Sequence, residues 1–268
     1  MRKKGDHRSS RFRIRSGNYL FPLLYGVSLV VTAAPPPFSA TLYQRSPHGV
    51  VQEGRLYVDH GRTRSEGEIN GERQIQIIDR DNARHWQLFP RQRSYQERHL
   101  SRPANAPDEH NPCKDLHAAH CQRLGEEPLN GVLAIAWQMT LLQAGKTLHL
   151  RHWIDPQRGL LLRSESSSGE RSEMKLVAAD EQLAGRRVER WELILWSDRE
   201  QHLQRSIQWY DPQLQLVIRE ELPGGYLREL RNIQIAEQPP ELFTPPSGWQ
   251  RLPPTASPQP DGLQNNAR

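Results

Sequence analysis

The chain has 268 residues, 35% apolar and 25% charged, with seven Trp, seven Tyr and five Phe. That aromatic load excludes full disorder, and the lack of a second long apolar run excludes a multi-span helical membrane protein. The net charge of +5 sits at the front: residues 1–15 carry +6 and 16–40 carry none, so 41–268 is near neutral at −1, which removes the main support for nucleic-acid binding.

In chain order, residues 1–40 read as a signal peptide. A basic stretch precedes the apolar run Tyr19–Val31, and small residues with prolines follow. The run is too short to cross a hydrocarbon core of ~30 Å as a helix, and Pro22 and Gly26 weaken it further. Cleavage after Ala33, Ala34 or Ala40 stays open, as does an uncleaved anchor. Export to the periplasm is expected, with no transmembrane span after cleavage.

From residue 41 the apolar period is two, the mark of strands. Arg73–Asp79 and Arg84–Phe89 read as a hairpin around Arg80-Asp-Asn-Ala83. A Pro-rich loop, 100–112, follows. Cys113 and Cys121 are the only cysteines, and in an oxidising compartment two thiols are most simply one disulfide. Eight residues of helix rise about 12 Å, more than a bridge spans, so the segment must bend. His117 and His120 between them make a zinc alternative, but the spacing matches no standard finger or ribbon. No metal and no cofactor are expected.

Leu133, Ile135, Trp137, Met139 and Leu141 alternate with milder residues, predicting a half-buried antiparallel strand. Thr147–Ile154 is its return. Helices are expected in part of 113–124 and over Lys175–Leu183. Residues 253–268 have the composition of a disordered tail.

An internal repeat runs through this pattern. Trp153, Asp155, Pro156, Arg163, Glu165 and Glu173 recur as Trp209, Asp211, Pro212, Arg219, Glu221 and Glu229. A weaker copy holds Tyr57, Asp59, Arg64 and Glu66. Asp-Pro suits a tight turn with the carboxylate accepting backbone N–H bonds. Arg and Glu two apart share a strand face and predict cross-strand ion pairs on the wet side. Three equivalent copies cannot all be one active site, so the unit is read as structural. The motifs G-x-S-x-G, H-E-x-x-H, the P-loop and G-x-G-x-x-G are absent, and no catalytic residue is expected.

A signal peptide followed by Arg55-Leu-Tyr-Val-Asp59, Trp86-Gln-Leu-Phe-Pro90, Trp153-Ile-Asp-Pro156 and Leu242-Phe-Thr-Pro-Pro-Ser-Gly-Trp249 resembles the periplasmic lipoprotein-carrier superfamily, over roughly 41–252. The resemblance implies a mainly β fold: one domain with a curved antiparallel sheet, an unclosed half-barrel, and a few short helices plugging its open side. It implies an apolar face that holds acyl chains of a lipid or lipoprotein. The matching ligand-binding positions are Trp86, Leu88, Leu133, Ile135, Trp137, Met139, Trp191, Leu193 and Leu195. The leading expectation is an exported, non-enzymatic binding protein for an acyl chain or other apolar ligand. Two alternatives stay open: an envelope interaction or sensor protein whose sheet is a scaffold for a protein partner, and an exported hydrolase.

Overall fold

The computed structural model describes residues 35–69, 71–100, 111–113, 119–143, 146–197 and 202–253. The expected signal sequence up to residue 34, most of the Pro-rich loop, His117 and the tail from 254 lie outside the described residues.

Among the described residues sixteen strands form one sheet. A first arm comprises β1 (Phe38–Arg45), β2 (Val51–Asp59), β3 (Arg62–Ile69), β4 (Glu72–Asp79), β5 (Arg84–Phe89) and β6 (Ser94–His99). The second holds β7 (Ala119–Leu129), β8 (Val132–Gln143), β9 (Lys146–Ile154), β10 (Leu161–Ser166), β11 (Glu170–Leu183), β12 (Arg186–Ser197), β13 (His202–Asp211), β14 (Leu216–Leu222) and β15 (Tyr226–Ile235). Each arm is a meander in which every strand pairs antiparallel with the next. β1 and β15 join the arms, and β16 (Gln250–Leu252) adds parallel to β6. β7 and β16 end the order without pairing to each other, so this curved, antiparallel half-barrel is unclosed, as expected. Bulges in β1, β7, β10, β11 and the β13–β14 ladder bend the strands, the local device that curls a sheet.

Three hairpins carry positive φ at both central residues: His60 and Gly61, Asn130 and Gly131, Ala184 and Gly185. Such turns match the right-handed twist of the flanking strands. Among the described residues the short helices are three 3-10 turns, Pro90–Gln92, Pro223–Gly225 and Pro240–Phe243. No helix among the described residues is long and apolar enough to cross a membrane. The helix expected over Lys175–Leu183 is corrected, because Glu170–Leu183 is a strand. Of the helix expected in part of 113–124, residues 119–124 belong to the strand Ala119–Leu129 and 114–118 lie outside the described residues. Lys175–Leu183 is rich in helix formers, but pairing with β12 along its length overrides that local preference. Cys113 and Cys121 are bridged as expected, with Cα atoms 5.9 Å apart.

The repeat survives folding. Tyr57 stands opposite Arg64, Trp153 opposite Arg163 and Trp209 opposite Arg219. The two Trp copies gain a guanidinium over the ring, at 5.6 and 5.1 Å. Both Asp-Pro turns are capped as expected: Asp155 accepts from the N–H of Gln157 (2.8 Å) and Arg158 (3.2 Å), and Asp211 from Gln213 (2.9 Å) and Leu214 (3.1 Å). One expectation fails. The Arg64–Glu66 pair is not on a wet side, because the two residues are only 8% and 9% exposed. Glu66 accepts from Arg64 (2.7 Å) and from Arg73, and these bonds overcome its burial to hold its carboxyl below the usual range.

The core is divided. One cluster joins Phe38, Ala40, Leu42 and Leu56 of β1–β2 to Trp209, Ile218 and Leu230 of β13–β15. A second joins Trp153, Leu162, Met174, Trp191 and Tyr210. In its midst Arg158 grips both oxygens of Glu189 (2.7 and 2.8 Å) and reaches Asp155 (3.0 Å), while Trp191 donates to Glu189 (3.1 Å). Burial, and then the Glu189 charge, push the Tyr210 hydroxyl up to about 12.

Candidate ligand-binding face

Paired residues in a ladder share a face, so the register sorts the sequence-predicted positions. In β8, Ile135, Trp137 and Met139 pair with Ile154, His152 and Leu150 of β9. His152 pairs with Ser164, Ser164 with Ser172, Ser172 with Leu195, and Leu195 with Gln204. One row therefore runs Trp137, His152, Ser164, Ser172, Leu195, Gln204 across six strands. Leu133, Ile135 and Met139 stand on the same side of β8 as Trp137, and Trp191 and Leu193 on the same side of β12 as Leu195. By strand alternation seven of the nine predicted positions fall on one side, but packing divides them: Ile135 and Trp137 cluster with Ile154, whereas Trp191 and Leu193 pack with Trp153 and Met174.

Trp86 and Leu88 do not fall on that side. Leu88 pairs with Ile75, Ile75 with Glu66, Glu66 with Arg55, Arg55 with Thr41, and Thr41 with Arg231. Glu229, two residues from Arg231, continues through Arg219 and Trp209 to Arg190, which alternates with Trp191. Trp86 and Leu88 accordingly occupy the opposite face. There they form a cluster with Ile75, Ile77 and Phe243, the last from the 3-10 turn after β15, and Leu242 and Trp249 pack alongside.

The seven also differ in depth. Ile135, Trp137, Met139 and Trp191 are buried and Leu193 is half-buried, whereas Leu133 and Leu195 are 55% and 39% exposed. A cleft of about 340 Å³ opens on this face, lined by Leu150, Ser164, Ser166, Ser172, Leu195 and Gln204 among others. That volume is at the small end of the roughly 300–1,000 Å³ of ligand sites. One buried polar group in the Trp137 row lacks a hydrogen-bond partner among the described residues, and a second is held neutral by burial. Trp137 is 3% exposed, yet its indole N–H is buried with no hydrogen-bond acceptor among the described residues. His152 has its pKa lowered by burial, so the ring is held towards its neutral form. The face is thus apolar at β8 and β12 and lined with hydroxyls between.

Sequence reasoning did not place His152 and the serines at the site. The signal was present in Arg163-Ser-Glu-Ser166, where charge and hydroxyl alternate with period two. On the other face Arg151 and Arg163 lie over Trp153 at 4.7 and 5.6 Å, and the Trp153 indole donates to Glu127 (2.7 Å). These charges already have partners. A second cleft, about 620 Å³, is lined by Thr41, Glu53, Arg55, Tyr57, Glu66 and Arg73 among others, and is charged rather than apolar.

No protein-family model and no curated protein sequence matches the chain. Solved structures do show similarity. One is a LolA superfamily protein from Nitrosomonas europaea, at 12% identity over 82% of this chain and 95% of that one, with a TM-score of 0.37. Another is an uncharacterized conserved protein from Thermus thermophilus, at 11% identity over 82% and 91%, TM-score 0.31. A third is the hypothetical lipoprotein YmcC from Escherichia coli, at 11% identity over 76% and 86%, TM-score 0.31.

Proposed function

We propose that the chain is a non-enzymatic binding protein of the bacterial envelope, holding an acyl chain or similarly elongated apolar ligand along the face of β8–β12. One observation supports this reading: a ladder row running from buried Trp137, flanked by Ile135 and Met139, to a partly exposed Leu195 that lines a cleft with serines, Glu170 and Arg171. Each methylene buried there contributes about 0.8 kcal/mol, against the cost of ordering the ligand. The serines and the Trp137 N–H suit the oxygen-bearing end of such a molecule, because an unpaired buried donor gains most from an acceptor.

The test is native mass spectrometry of the full chain purified from its own envelope, followed by lipid extraction, with titration of a fluorescent fatty-acyl probe. Co-purifying lipid and saturable probe binding, weakened by Leu195→Asp, are expected. A chain that arrives empty and ignores the probe overturns the reading. Labelling by a serine-directed activity probe would instead favour a hydrolase.

A further inference from the structure

A separate cluster lies at the opposite end of β2. Asp59 closes β2 with its side chain buried, and Arg62 takes one carboxylate oxygen. The other, Oδ1, is buried with no hydrogen-bond donor among the described residues. His60, the next residue, puts Nε2 3.6 Å from that oxygen and 3.7 Å from a carboxylate oxygen of Glu237. The three ligand atoms all lie within 4.8 Å of one another. Atoms bound at about 2.0–2.2 Å to one tetrahedral ion are roughly 3.3–3.6 Å apart, so small side-chain shifts would close this set around a metal.

The two contributing segments are fixed to one another. β2 and β15 flank β1, and the Ala236 N–H bonds Pro37 O (3.0 Å) beside Glu237. An unsatisfied buried carboxylate oxygen is costly, and a divalent cation is the partner that one imidazole and two carboxylates select. We propose that Asp59 Oδ1, His60 Nε2 and Glu237 form a three-ligand site for a zinc-type divalent cation, leaving one position open to water or another ligand. The site ties the chain leaving β15 to the β2–β3 turn, just before Phe243 covers the first arm.

Zinc titrated calorimetrically into the chelator-treated full chain tests this. One equivalent should bind, and His60→Ala and Glu237→Gln should each weaken binding at least tenfold. Both residues are exposed, so the variants are expected to fold, and unchanged thermal unfolding without metal verifies that. Cobalt in place of zinc should give tetrahedral visible absorption in the parent and lose it in His60→Ala. No binding by the parent, or binding that survives both substitutions unchanged, overturns the proposal.

Discussion

The two arms treat the same alternating pattern in opposite ways. In the first, Ile75, Ile77, Trp86 and Leu88 are sealed by the chain itself, with Leu88 and Phe243 0% and 1% exposed. In the second, the face bearing Trp137 reaches solvent at Leu133, Leu176 and Leu195, among the described residues. Period-two apolarity creates a greasy face in both. What distinguishes core from candidate site is whether a distant segment comes back to cover it.

Removing the cover should have the largest effect. Phe243→Ala is expected to cost about 3–5 kcal/mol in urea unfolding, as for a fully buried aromatic ring, and to red-shift Trp86 emission. Leu195→Ala should cost below about 1 kcal/mol while weakening fatty-acyl probe binding. Equal losses at the two positions would break the distinction between the arms.

The repeat offers a finer contrast at equivalent positions. Arg158 and Arg62 each follow an Asp by three residues and each lies over an aromatic ring, Trp191 at 5.6 Å and Phe243 at 4.8 Å. Arg158 also holds Glu189, so Arg158→Ala strands two buried carboxylates and should cost about 3 kcal/mol or more. Arg62→Ala strands one and should cost about 1–3 kcal/mol. Denaturation midpoints of the two variants settle the order.

Much of this was legible in the sequence. Arg84–Phe89 is a strand with the expected ends, and the Asp-Pro turns are capped by the carboxylates that the residue types imply. Local chemistry decides such features. The face assignment was not legible, because alternation fixes which residues share a side of one strand but not how arms are joined. Trp86 and Trp191 look alike in sequence, yet the pairing of β1 with β15 puts them on opposite faces. Nor does anything near Trp86 announce that Phe243 will cover it.

Acid should act on both arms in the same direction. Burial lowers the pKa of His85 in β5 and His152 in β9, and the Arg98 charge adds to the first. The unfolded chain, with histidines near about 6.5, then binds more protons than the folded one. Stability is complete above that value and falls as pH drops through it towards the folded pKa values. Unfolding followed from pH 7.5 to 5 should show the loss, and His152→Gln should flatten it. If only His85→Gln does so, the second-arm face is wetter than its burial implies.

The smallest effect concerns the turns that end β9 and β13. Gly159 and Gln215 hold the same place in two copies of the repeat, with φ of 66° and 54°. That left-handed conformation is free to glycine, while a residue with a Cβ is strained by about 1 kcal/mol or more. Glycine also leaves the unfolded chain more freedom, which offsets part of the gain. Gln215→Gly should therefore raise stability by only about 0.5 kcal/mol, shifting the urea midpoint at unchanged slope. Gly159→Gln should lower it by about 1 kcal/mol, because the strain enters with a new side chain beside the Arg158–Glu189 pair. Swaps that are both neutral would mean that the left-handed backbone at these two positions carries no strain for a side chain.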